Sequence, residues 1–171
     1  MLDPKIEKAM NQQIKNELEG WYTYMAMAAY FAKKNLSGFA QFMEKQSAEE
    51  QTHAARLFRY VLARDGNIQL EAISKPQKTY GSIQDVFALS LEQERENTEA
   101  IYHLYDLARE CHDYGTQSHL QWFLDGQVEE EKIMSDILGR LELASTDNAA
   151  LLLLDDQVHR LHPGAQSDEK T

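Results

Sequence analysis

The chain has 171 residues, 43% of them hydrophobic, with 8 glycines and 3 prolines; that length suits one domain with a sizeable core, and the composition favours long helices over strands and turns. Its 17 Lys and Arg against 28 Asp and Glu leave a net charge of −11, which argues against nucleic acid or anionic lipid as a partner and in favour of cations. A single cysteine, Cys111, excludes an intramolecular disulfide and a four-thiolate metal site, and fits a reducing compartment.

The N-terminus, MLDPKIEKAM, has no basic region followed by an apolar one, and the LLLL run at 151–154 is too short to span a bilayer. A soluble, cytoplasmic, all-α protein is expected. Asp3 suits an N-cap and Pro4 the first helical position. From there Ile6, Met10, Ile14, Glu17, Trp21, Tyr24 and Ala28 recur at steps of three and four, so the first helix runs to about Lys34 and stops at Asn35. About thirty residues at 1.5 Å each make a rod of roughly 45 Å, typical of a bundle.

Ser37 is the expected cap of the second helix, with Leu36 stapling its start and Gly66 stopping it; its stripe reads Phe39, Phe42, Met43, Gln46, Glu50, His53, Leu57, Tyr60 and Val61. The stretch NIQLEAISKPQKTYG has no sustained period and reads as one long crossover, which suits two helices that run parallel. Ser82 with Asp85 resembles a capping box for a third helix with the stripe Phe87, Leu91, Glu94, Thr98, Ile101, Tyr105 and Ala108. The segment HDYGTQ reads as a turn, and Ser118 with Gln121 as the start of a fourth helix carrying Leu120, Phe123, Gln127, Glu130, Met134, Ile137 and Leu141. Thr146 or Asp147 caps a short fifth helix, NAALLLLDDQVHRL, whose leucines call for cover by a neighbouring subunit. Residues 1–160 thus make one domain, and 161–171 a flexible tail.

Each of the four long stripes carries an acid in its middle: Glu17, Glu50, Glu94 and Glu130, with His53 one turn after Glu50. One stripe glutamate alone is ordinarily a helix-edge residue reaching for water, and a lone Glu-x-x-His is a weak signal. Four converging carboxylates are another matter, because unpaired buried ions cost several kcal/mol each. No lysine or arginine sits on these stripes at that level, so cations or protons must balance them. Two divalent ions would, and mixed oxygen and nitrogen ligation suits iron better than structural zinc. Di-iron bundles use one Glu from each of two helices and Glu-x-x-His from the other two. This chain departs from that pattern at Ile133, where the second histidine would stand. Gln127 is a hydrogen-bond partner or weak ligand, with a solvated glutamine the alternative. Tyr24 and Trp122 read as core aromatics before electron donors, and Met10, Met25, Met43 and Met134 as core filling. His103, His112, His119, His159 and His162 show no metal spacing.

The pieces IKNELEGWYTYMAMAAYF, EEQTHAARLF, LEQERENTEAI and LQWFLDGQVEEEKI resemble the bacterial non-haem ferritins, across the chain to about residue 160. The resemblance implies a ferritin-like four-helix bundle with one long crossover and a short fifth helix, in a homo-oligomeric shell of twenty-four subunits that stores ferric mineral. It implies a ferroxidase centre where O₂ or peroxide oxidises Fe(II): Glu17, Glu50 and His53 on the first iron, Glu94 and Glu130 on the second, Glu50 bridging, and Gln127 and Tyr24 beside them. It also implies a third iron site through Glu49, Glu129 and the shared Glu130, lacking the acid expected at Gly126. Similarity to bacterioferritin is weaker: Thr52 stands where that relative has a haem-binding methionine, so no haem is expected. The rivals are a non-storing di-iron oxidase or peroxidase and a purely structural helical module.

Overall fold

In a computed structural model, described over residues 2–77, 79–158 and 161, the chain forms five helices and, among the described residues, no strand. They are α1 (Pro4–Lys33), α2 (Ser37–Ala63), α3 (Ile83–Glu110), α4 (Tyr114–Ala144) and α5 (Asn148–Gln157). Short turns join α1 to α2 and α3 to α4, so each pair is antiparallel. The crossover at 64–82 then sets α3 parallel to α2: Phe42 and Phe87 share one apolar cluster, Leu57 and Leu104 the other.

The ends of α1 and α3 follow their sequence signals. Asp3 accepts the Lys5 amide at 2.8 Å, and Ser82 Oγ accepts the Asp85 amide at 3.0 Å. Asn35 ends α1 at φ 60°, a left-handed conformation that asparagine tolerates better than most residues.

Two helix starts differ from expectation. Ser37 is not a cap: Leu36 holds that position without a side-chain bond, and the carboxylate of Asp155 in α5 accepts from the amides of Gly38 and Phe39 at 3.2 and 2.7 Å. The cap comes from the far end of the chain, which no local pattern reveals. Gly38 permits the approach, since a Cβ there would lie 1.7 Å from the Asp155 carbonyl oxygen. Likewise α4 begins four residues before Ser118, because Asp113 accepts the Thr116 amide at 3.0 Å and is itself gripped by Arg64 at 2.9 Å. At the end of α2, Asp65 rather than Gly66 takes the left-handed turn, at φ 55°.

The crossover lies along α1, where Asn11, Glu7 and Glu19 side chains bond the backbone of residues 67, 69 and 74. Asp147 caps α5. Leu154 is buried, whereas Leu152 and Leu153 remain more than half exposed, so the subunit itself covers only part of the leucine block. Met10, Met43 and Met134 are core residues as expected; Met25 is 48% exposed and is not, because α1 turns that face outward. The proposed tail falls outside the described residues except for Leu161, as do His159 and His162.

The apolar core is in two parts. One cluster gathers Tyr24, Phe31, Phe39, Phe87 and Met134; the other gathers Ile14, Leu57, Ile101 and Phe123. Between them every long helix contributes buried polar side chains: Gln13 and Glu17, Gln46 and Glu50, Glu94 and Thr98, and Gln127.

Candidate metal centre

The polar layer exists because each helix replaces one turn of its apolar stripe with acids and amides, and the four turns lie at one height. Glu17 and Glu94 are each 1% exposed and Glu50 is 6% exposed, so three carboxylates lie inside the bundle. Ligand atoms of Glu17, Glu50 and His53 fall within 4.8 Å of one another, a spacing a single cation can span. His53 Nδ1 lies 3.2 Å from Glu50 Oε2 and 3.6 Å from Glu17 Oε2. Gln13 Nε2 donates to Glu17 Oε1 at 2.8 Å. The second oxygen, Glu17 Oε2, is buried without a hydrogen-bond partner. Leaving such an acceptor unsatisfied costs on the order of 1–3 kcal/mol, more when it is charged.

The other two predicted ligands stand apart from this triad. The Tyr24 hydroxyl donates to Glu94 Oε1, and Gln127 Nε2 lies 3.2 Å from Glu94 Oε2, 3.1 Å from the Glu94 carbonyl oxygen and 3.3 Å from Thr98 Oγ1. Glu130 Oε2 accepts from Gln46 Nε2 at 2.9 Å, and Gln46 also reaches Glu49 Oε2 at 3.4 Å. Glu49 is half-buried and Glu129 exposed; the charges of both act on Glu130. A Cβ on Gly126 would meet nothing within 4 Å, so an acid there would be free of clashes. Thr52 is exposed, its hydroxyl turned back to the Ala48 carbonyl oxygen at 3.1 Å.

The electrostatics follow from crowding acids out of water. Burial, then the charges of Glu94 and Glu17, push the Glu50 carboxyl well above the usual range. Burial, then Glu94 and Glu49, push Glu130 up to about 8. Burial also raises Glu94, against the lowering effect of its bonds from Tyr24 and Gln127. For Glu17 burial is outweighed by the nearby His53 and Glu50 side chains and the bond from Gln13, which hold it below the usual range. Burial disfavours the charged His53 ring, but Glu17 and Glu50 beside it raise its pKa well above normal. Burial and the neighbouring acids hold Tyr24 as a neutral phenol. Burial thus favours protons over bare charge on Glu50, Glu94 and Glu130, and a cation bound there would displace them.

Tyr24 and Gln127 therefore both sit beside the acids as partners of Glu94. Trp122 does more than fill the core: it meets the His53 ring edge to face at 5.4 Å, with the Arg56 guanidinium 4.2 Å above its own ring. Gln13 and Gln46 also belong to the layer, through bonds to Glu17 and Glu130. Each precedes a layer glutamate by four residues, a one-turn spacing that could have marked them. Among the other histidines, His119 stacks on Tyr60 at 3.9 Å, and burial lowers it to about 4; His103 and His112 are exposed.

Residues 7–144 match the ferritin-like domain family. A bacterial non-heme ferritin of Staphylococcus aureus (strain USA300) is 37% identical over 158 residues, covering 92% of this chain and 95% of that protein. One of Staphylococcus epidermidis shows the same identity and coverage. An open pore ferritin from the hyperthermophilic archaeon Archaeoglobus fulgidus superposes with a TM-score of 0.91 at 35% identity, over 92% of this chain and 98% of that one. A humanized archaeal ferritin gives 0.93 at 36%, over 96% and 99%. With its five helices, its crossover and its layer of acids between two apolar clusters, the chain belongs to the ferritin family.

Proposed function

We propose that this chain is a cytoplasmic iron-storage ferroxidase: it oxidises Fe(II) within its bundle and deposits the ferric product inside a homo-oligomeric shell, of twenty-four subunits in our reading. The observation that carries this is Glu17 Oε2, a buried oxygen without a hydrogen-bond partner, facing His53 and Glu50. A divalent cation satisfies that oxygen and replaces protons on Glu50 and His53.

Glu17, Glu50 and His53 would take one Fe(II), and Glu94 and Glu130 a second, with Glu50 between them. Tyr24 and Gln127 aim Glu94, while Gln46 aims Glu130. Each Fe(II) gives up one electron. One O₂ takes two electrons and two protons to leave as hydrogen peroxide, or one peroxide takes two electrons and two protons to leave as two waters. The carboxylates favour the product because the higher charge of Fe(III) gains more from anionic ligands. Glu49 and Glu129, with Glu130, would hold a third iron, a site that Gly126 leaves short of one acid. The exposed leucines of α5 fit a contact between subunits.

The test is aerobic addition of Fe(II) followed by ultraviolet absorbance, with particle size measured by electron microscopy. Fast oxidation that His53→Ala abolishes, in a hollow particle, is the expected result. An unchanged rate in His53→Ala refutes the centre, and a small particle without mineral favours a non-storing oxidase.

A further inference from the structure

A cleft of about 300 Å³ opens where the crossover passes over α1 and α3. Exposed Glu96 and Lys75 line it together with half-buried Glu19, and it continues inward to the buried carboxylates of Glu17 and Glu50. The Ser74 amide donates to Glu19 Oε1 at 2.9 Å, which pins the crossover beside the opening. Gly20 keeps the inner end clear: a Cβ there would lie 3.3 Å from the Gln93 amide nitrogen and from both Cγ and Cδ of Glu50. Glu17, Glu19, Glu50 and Glu96 give the lining four carboxylates, with amides at Asn16, Gln93 and Asn97, groups that suit a hydrated cation. Among the described lining residues Lys75 is the one positive charge.

Resting on the reading that Glu17 and Glu50 take Fe(II), we infer that this cleft is the route by which divalent cations reach them from solution, and that Lys75 slows their passage. Acids at the rim raise the local concentration of a dication, and a lysine there lowers it. Gly20 lines the inner end beside Glu50, where a larger side chain would take up space.

The test uses the assembled full chain, with Fe(II) oxidation followed by stopped flow below saturating iron. Lys75→Glu is expected to raise the second-order rate constant about threefold at low ionic strength and Glu96→Lys to lower it by a similar factor, both effects shrinking in high salt. Gly20→Val is expected to slow uptake at every salt concentration. Lys132→Glu, on α4 away from the cleft, is expected to change little. Anaerobic Fe(II) titration separates the two readings, since Lys75→Glu and Glu96→Lys should bind the same number of irons as the parent. Normal stoichiometry with unchanged rates in both rim variants overturns the route while leaving the centre intact. An effect of Lys132→Glu equal to that of Lys75→Glu also overturns it. If the parent's Fe(II) binding is indifferent to His53→Ala, the centre fails and the route with it.

Discussion

Glutamine in place of Glu130 should make the metal-free protein more stable and less active, with a pH dependence that identifies the cause. Glu130→Gln keeps the side chain's shape and, through its carbonyl oxygen, the bond that Gln46 gives at 2.9 Å. What it removes is ionisation. Burial and neighbouring acids raise this carboxyl from 4.5 to about 8 in the folded protein, so as pH rises the unfolded chain releases its proton first. The group's contribution to stability is therefore fully present below 4.5 and declines by about 1.4 kcal/mol per pH unit up to about 8, where it levels off. The amide escapes this loss. The variant's advantage should grow from about 1 kcal/mol at pH 5.5 to several kcal/mol at pH 8.5. The gap in melting midpoints should widen accordingly, from a few °C to roughly 10 °C. Calorimetry of chelator-treated protein at the two pH values measures this, and oxidation assays on the same samples should show the fast phase lost. A gap that stays constant with pH, or is absent, refutes the assignment of Glu130 as a neutral acid held for a metal.

Asp155→Ala should cost about 2 kcal/mol, because the amides of Gly38 and Phe39 lose a charged acceptor; calorimetry should show a drop of about 6 °C, with Fe(II) oxidation retained. Gly126→Glu puts an acid where a side chain has room, so anaerobic titration should find one more iron per subunit. The thermal midpoint should not fall, since glycine inside a helix is itself destabilising by roughly 0.5–1 kcal/mol. Tyr24→Phe removes a hydrogen bond that lowers the Glu94 carboxyl. Protons then compete with iron up to higher pH, and the rising limb of the pH–rate profile should move to higher pH; an unmoved limb refutes the role given to Tyr24.

What the sequence reveals here is what repeats along a helix. Glu17, Glu50, Glu94 and Glu130 stood out because each interrupts a stripe of period 3.6. What it hides depends on which helices meet and at what height. Gln46 acquires its role only from Glu130 on another helix, and the cap of α2 comes from a residue beyond α4. The start of α4 lies before Ser118 because Asp113 caps through a bond that Arg64 helps to orient, outside any local capping box. The division into a three-residue cluster and two separately hydrogen-bonded acids is likewise set by how the helices pack.

The bond from Asp155 to α2 also bears on the order of assembly. It joins residues 116 and 117 positions apart, whereas α1 and α2 are neighbours across a short turn. Contacts between sequence neighbours form early and those across long loops late. A growing chain can therefore zip α1 onto α2 from their shared middle while the first turn of α2 stays frayed, its donors in water. That turn locks only when the last helix arrives. Residue 155 acts as a completeness check, leaving a prematurely ended chain with a loose, protease-sensitive end at one corner of the bundle.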